Sequence, residues 1–127
     1  MIGGTDAHAK NYSILYESGG AFRLMPLYDL ISFLPYQQRR AQLTLAMTIA
    51  GRRAIDEIRP SHWERAAERC GNAGERAVAH VRDLTAKLPD LSATVRAACR
   101  KSGLNHPIRD QLVDQIADNA KRVAKRG

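Results

Sequence analysis

The sequence predicts a mainly α-helical protein with a small β-hairpin near its amino end. Three observations predict it. Residues 12–16 and 21–25 are two β-prone runs on either side of the pair Gly19-Gly20, the pattern of two strands around a turn. Residues 61–126 carry apolar side chains at helical spacing between start and stop signals. The composition, 44% hydrophobic and 26% charged over 127 residues, is that of a soluble domain with enough chain for a core.

In chain order, Pro26 ends the second strand by withholding an amide donor, and the Leu27-Tyr28-Asp29-Leu30 stretch follows as irregular or short helical connection. Residues 42–49 are ambiguous, their β-branched Thr44, Thr48 and Ile49 offset by Ala46 and Met47. Ser61 followed by Glu64 has capping-box spacing and Gly71 stands at a stop, which predicts a helix over about 61–70. A second helix starts at Asn72 and Glu75 and stops before Pro89, with Val78, Val81, Leu84 and Leu88 on one face. A third runs from Leu91 to Gly103. The last begins near Pro107, places Ile108, Leu112, Ile116 and Val123 on a stripe, and sets Asp110 early and Lys121, Arg122, Lys125 and Arg126 late, as the helix dipole favours.

Composition also excludes functions. No apolar run approaches the roughly 18 residues of a membrane span, and no basic-then-apolar leader opens the chain. Cys70 and Cys99 have no CxxC spacing, so neither a zinc site nor a redox pair is indicated; helix-packing free thiols in a reducing cytoplasm are expected. His62, His80 and His106 have no i,i+4 histidine partner. Trp63 and Tyr36 read as core or rim aromatics. The net charge of +7 is uneven: residues 1–50 hold four Lys/Arg against three Asp/Glu, residues 51–127 sixteen against ten. These charges interleave along helices, the pattern of a solvated surface more than of a nucleic-acid groove.

The chemistry concentrates in residues 3–30. Asp6, Asn11 and Asp29 are separated by five residues and then by the hairpin, which returns the chain to its start and so brings the three together. An Asp, an Asn five residues later and an Asp beyond a hairpin form the arrangement phosphoryl transfer needs: one carboxylate takes the proton of the attacking hydroxyl, while the amide oxygen and the second carboxylate hold Mg²⁺. The order is that of protein kinases, Asp6-x-x-x-x-Asn11 standing at the D-x-x-x-x-N of the catalytic loop and Tyr28-Asp29-Leu30 where D-F-G would stand. Gly4-Thr5 replaces the His-Arg of that loop and Leu30 the Phe, departures that point to a divergent kinase. Taken singly, Asp6 and Asn11 also suit a capped turn before a strand.

The stretches GGTDAHAKNYSILY, FRLMPLYDLISFLPY, LAMTIAG and IRPSHWERAAERCG resemble the carboxy-terminal part of HipA-family serine/threonine kinases, the toxin side of bacterial HipBA toxin–antitoxin modules. The resemblance covers residues 1 to about 100 and is most specific over 3–36. It implies a protein-kinase-like C-lobe fragment, with 1–36 as catalytic loop, hairpin and metal-Asp segment and 37–127 as a helical subdomain, in one continuous unit. It implies Asp6 as catalytic base, Asn11 and Asp29 as Mg²⁺ ligands, and His8 and Lys10 near the γ-phosphate. ATP and Mg²⁺ are the implied cofactors, held weakly by this fragment alone. The implied partners are a protein substrate (in the family, aminoacyl-tRNA synthetases among others), a HipB-like antitoxin and a separate amino-terminal kinase half, with DNA reached only through the antitoxin and no membrane.

Within residues 1–127 no glycine-rich phosphate loop precedes a helix. The expectation is therefore a truncated or split kinase, inactive alone. The alternative is a non-catalytic helical module that binds an antitoxin, a kinase half or DNA. Either way Ile2, Ile14, Leu24, Leu27 and Leu34 are expected to form an exposed apolar patch, with a homodimer as one way to cover it.

Overall fold

Gly19 and Gly20, with φ of +87° and +84°, turn the chain between strands β1 (Ile14–Tyr16) and β2 (Phe22–Leu24). In the computed structural model, which describes residues 2–36 and 43–126, these pair antiparallel with Ile14 opposite Leu24, Leu15 opposite Arg23 and Tyr16 opposite Phe22. The ladder runs past the strands, since the Met25 amide donates to the Ser13 carbonyl at 2.8 Å.

The ambiguous segment is extended. β3 (Thr44–Ile49) pairs antiparallel with β4 (Arg52–Ala54), a second hairpin that the sequence did not announce; Gln42 lies outside the described residues. Ala50 and Gly51 both have positive φ, +47° and +84°, which a two-residue hairpin turn requires. The Arg53 guanidinium reaches back to the Leu45 carbonyl at 2.9 Å and the Ala46 carbonyl at 3.4 Å, holding the irregular register. Local pairing decides a segment whose composition does not.

Helix α1 (Pro60–Arg69) begins one residue before the expected start. Pro60 has the right φ for a first helical position, so the cap is not Ser61 with Glu64; instead His62 Nδ1 accepts the Arg59 amide at 3.0 Å. The helix ends as expected at Gly71 (φ +72°), where Asn72 donates to the Ala67 carbonyl and Gly71 to that of Glu68, the paired bonds of a Schellman stop.

Pro89 does not divide the next helix. α2 (Gly74–Lys101) is continuous for 28 residues, so the expected second and third helices are one. Pro89 denies the ladder one amide, a loss of about 3 kcal/mol in a helix interior. Tertiary packing offsets it, since α2 lies against both α1 and α3 (Pro107–Ala124); one turn on, Ser92 Oγ bonds back to the Leu88 carbonyl at 2.7 Å. Gly74 lies close against α1: a Cβ there would stand 2.6 Å from Glu64 Cγ. Arg96–Asp114 at 3.0 Å and Arg100–Asp110 at 3.2 Å join α2 to α3 along their outer edge. The buried stripe of α3 is rotated by about one position from the expected one, with Val113, Asn119 and Ala120 innermost and Ile108 and Leu112 half-buried.

The core is small. Leu34, Leu43 and Ile55 form its buried cluster, with Phe33, Leu45 and Ile116 packed against it. Leu34 thus leaves the expected surface patch, because the 3₁₀ turn Leu34–Tyr36 lies on α3, where Gln111 Nε2 donates to the Pro35 carbonyl. Ile14, Leu24 and Leu27 are exposed as expected, and Ile2 is half-buried. Cys70 is exposed at the end of α1 instead of packed between helices, and Cys99 is half-buried. No described helix is long and apolar enough to cross a membrane.

Candidate functional site

The two ends of the first hairpin meet at a direct contact: Asn11 Nδ2 donates to Asp29 Oδ2 at 2.7 Å, across eighteen residues of chain. Asn11 closes the 3₁₀ turn Ala9–Asn11 and is 7% exposed. Its own amide bonds the His8 carbonyl at 3.0 Å, and its Oδ1 accepts the His8 amide at 3.2 Å. The side chain is therefore fixed from both sides. Asp29 occupies the left-handed region with φ of +55°. Asp and Asn tolerate that conformation better than other residues bearing a Cβ, yet it is held only where the surroundings over-determine it.

Asp6 is positioned from a different direction. Residues 2–5 run between two elements: the Phe33 amide donates to Gly3 O at 3.0 Å, Ser32 Oγ donates to Ile2 O, and the Ala46 amide of β3 donates to Thr5 O at 2.9 Å. Gly3 is buried with φ of +73°, and its α-carbon faces Leu34 so closely that a Cβ would lie 2.5 Å from Leu34 Cγ. The next residue after this stitched segment is Asp6, whose carboxylate is exposed. Asp6 and Asp29 border one cavity of about 190 Å³, with Ile31, Leu45, Ile58 and Trp63 among its apolar walls.

His8 and Lys10 fall apart in placement. His8 Nε2 stands 4.0 Å from Asp6 Oδ1, and its Nδ1 is buried with no hydrogen-bond partner. Lys10 is exposed, and what the site uses of it is the carbonyl, which accepts from Tyr28 Oη at 2.8 Å. Tyr28 and Ser13, whose hydroxyls lie 2.9 Å apart, were not singled out by the sequence. The available signal was the position of Tyr28 beside Asp29.

The donor set suits Mg²⁺. Asn11 offers an amide oxygen and Asp29 a carboxylate, both hard ligands, but the group that faces Asp29 is the Asn11 amide nitrogen while Oδ1 faces the His8 amide, so sharing one Mg²⁺ would require the Asn11 amide to turn. Asn11 Oδ1 uses one lone pair on the His8 amide and keeps a second, and Asp29 has an oxygen beyond the one bonded to Asn11. Among the described residues no three His, Cys, Asp or Glu side chains cluster. A sparse pair is what Mg²⁺ uses when phosphate and water complete its shell.

The titratable groups with displaced pKa values lie away from this site, at the start of α3. The hydrogen bond from Arg109 holds Asp110 below the usual carboxylate range, with Arg100 adding to it, and the same bond raises Arg109.

Residues 1–92 match the family described as HipA-like C-terminal domain. Over 71 residues, 56% of this chain, the sequence is 37% identical to the Sinorhizobium fredii (strain NBRC 101917 / NGR234) protein named "Putative kinase Y4mE". The aligned stretch makes up 16% of that relative's length, so the chain spans a minor part of it.

Proposed function

The chain belongs to the HipA-like C-terminal domain family, and on that premise we propose that it carries the catalytic-loop and metal-binding half of a serine/threonine kinase active site. The observation that carries this reading is the 2.7 Å contact joining Asn11 to Asp29 across the hairpin, with Asp6 on the rim of the same cavity as Asp29. In the proposed reaction Asp6 orients the substrate hydroxyl and takes its proton as the oxygen attacks the γ-phosphorus and the bond to ADP breaks. Asn11 and Asp29 would hold Mg²⁺, which when bound neutralises charge on the phosphates. His8, beside Asp6, and Lys10, on the exposed side of the turn, are proposed to face the γ-phosphate. The substrate is a protein hydroxyl, the setting a bacterial toxin–antitoxin module with a HipB-like partner, and the compartment the cytoplasm.

Residues 1–127 contain no glycine-rich phosphate loop leading into a helix, so these residues alone are proposed to be inactive and to need an amino-terminal kinase part that delivers ATP. A second reading has its own support: Tyr16 and Phe22, opposite each other in the first hairpin, are 76% and 71% exposed, a surface suited to a non-catalytic module that docks a partner. One experiment separates the two. Phosphotransfer with Mg-ATP is measured on the chain alone and on the chain mixed with the amino-terminal part of a HipA-like kinase. Activity in the mixture, reduced roughly 10²- to 10⁴-fold by Asp6→Ala as expected for a general base, supports the kinase reading. Binding without activity supports the module, and turnover by the chain alone overturns the claim of inactivity.

A further inference from the structure

Tyr28 precedes the proposed metal ligand Asp29, and its hydroxyl is tied to the loop that carries the other ligand. It donates to the Lys10 carbonyl at 2.8 Å and lies 2.9 Å from Ser13 Oγ. A phenol has one proton. With that proton on Lys10, the Ser13 hydroxyl is the donor in the second bond, so Tyr28 Oη both gives and accepts. Lys10 adjoins Asn11 in the 3₁₀ turn, and Tyr28 adjoins Asp29, so two consecutive residues on one segment are bonded to two consecutive residues on the other. The Met25 to Ser13 backbone bond lies just before them. The ladder of the hairpin is thus continued by side chains as far as Asp29, where the main chain is in the left-handed region and no backbone pairing remains to hold it.

We infer that Tyr28 is a positioning residue for the metal pair: its hydroxyl, held between Ser13 and the Lys10 carbonyl, fixes the approach of Asp29 to Asn11. This rests on the reading of Asn11 and Asp29 as Mg²⁺ ligands. Tyr28 is 46% exposed, so removing its hydroxyl leaves the fold intact while freeing the Asp29 segment. The ring does not enter the reaction.

The test uses the ¹⁵N-labelled chain with two readouts, hydrogen exchange of the Asn11 side-chain amide and paramagnetic broadening by Mn²⁺ as a Mg²⁺ probe. In the unaltered chain Mn²⁺ is expected to broaden resonances around Asn11 and Asp29, and Asp29→Ala to abolish the effect. Tyr28→Phe is expected to speed Asn11 amide exchange and to weaken Mn²⁺ binding about fivefold, the worth of one hydrogen bond, with the melting temperature unchanged within a few degrees. Ser13→Ala is expected to give a smaller shift in the same direction. Unchanged exchange and Mn²⁺ affinity in Tyr28→Phe would overturn the inference while leaving the metal site standing. Mn²⁺ that never broadens Asn11 or Asp29 in the unaltered chain would overturn the metal reading itself, and with it the role given to Tyr28.

Discussion

Gly3→Ala tests how the site is anchored to the core. Gly3 has φ of +73°, in the left-handed region, where a Cβ costs about 1–2 kcal/mol. The added methyl would also stand 2.5 Å from Leu34 Cγ, inside any real contact distance, and 3.0 Å from Leu34 Cδ2, at its limit. Leu34 is 6% exposed and belongs to the buried cluster with Leu43 and Ile55, so it yields only by disturbing them; overpacking of that kind costs about 1–3 kcal/mol. The two effects together predict a loss of about 2–5 kcal/mol in urea unfolding. The chain has one tryptophan, Trp63, which lines the cavity beside Gly3 and reports the transition by fluorescence. Shortening Leu34 should remove the steric part alone, so Gly3→Ala in a Leu34→Ala background is expected to cost only the backbone share, about 1–2 kcal/mol. Gly19→Ala, with φ of +87° but nothing within 4 Å, is expected to cost that share as well. An equal cost for Gly3→Ala in both backgrounds would refute the clash with Leu34, and no cost in either would refute the anchoring.

Three further outcomes follow from the helices and the surface. Pro89→Ala restores an amide to the interior of α2 and is expected to stabilise the chain by about 1–3 kcal/mol, read from the urea midpoint; destabilisation would mean that the proline shapes the α2–α3 contact. Asp110, whose folded pKa is depressed first by Arg109 and then by Arg100, contributes stability that is fully present above the unfolded carboxylate pKa of about 4 and is lost as pH falls through the folded value below it. Asp110→Asn should therefore lower the melting temperature at pH 7 and lower it progressively less as the pH falls below about 4, and a loss that does not change with pH would show that the charge is not what matters. Self-association through the exposed face is expected from light scattering over a concentration series. Phe22→Ser should weaken it about tenfold or more, since burying a large apolar side chain is worth roughly 1.5–3 kcal/mol, and a monomer at every concentration would remove the expectation.

What could be read in the sequence was what depends on neighbours along the chain. The Gly19-Gly20 turn, the stops at Gly71 and Gly103 and the start at Pro107 are all set by local backbone geometry, and each lies where the residues indicate. Pro89 misled because its local cost is real but is met outside the local window, by the packing of α2 against the flanking helices. Residues 44–49 were undecided because the deciding feature is a turn, Ala50-Gly51, in which a non-glycine residue adopts positive φ. In the site, the joining of Asn11 and Asp29 was legible from the hairpin between them. The Tyr28–Ser13–Lys10 bonds were not, since a serine and a tyrosine flanking a strand have many possible partners and only the closed hairpin selects these.

The site is held by two separate supports. Asp6 follows residues 2–5, which are bonded to the Ser32–Phe33 segment and to β3 and lean on Leu34, so its place is set by the core. Asn11 and Asp29 are set by the first hairpin, whose strands are exposed and whose short ladder has no core of its own. A two-stranded hairpin is marginal in water, and here the bonds of Tyr28, Ser13 and Asn11 are what close its open end. The proposed base Asp6, fixed to the core, and the proposed metal pair Asn11 and Asp29, carried on a weaker hairpin, can respond separately to whatever covers the exposed face of Tyr16 and Phe22. A partner bound there would stiffen the Asn11–Asp29 pair and leave Asp6 where the core already holds it.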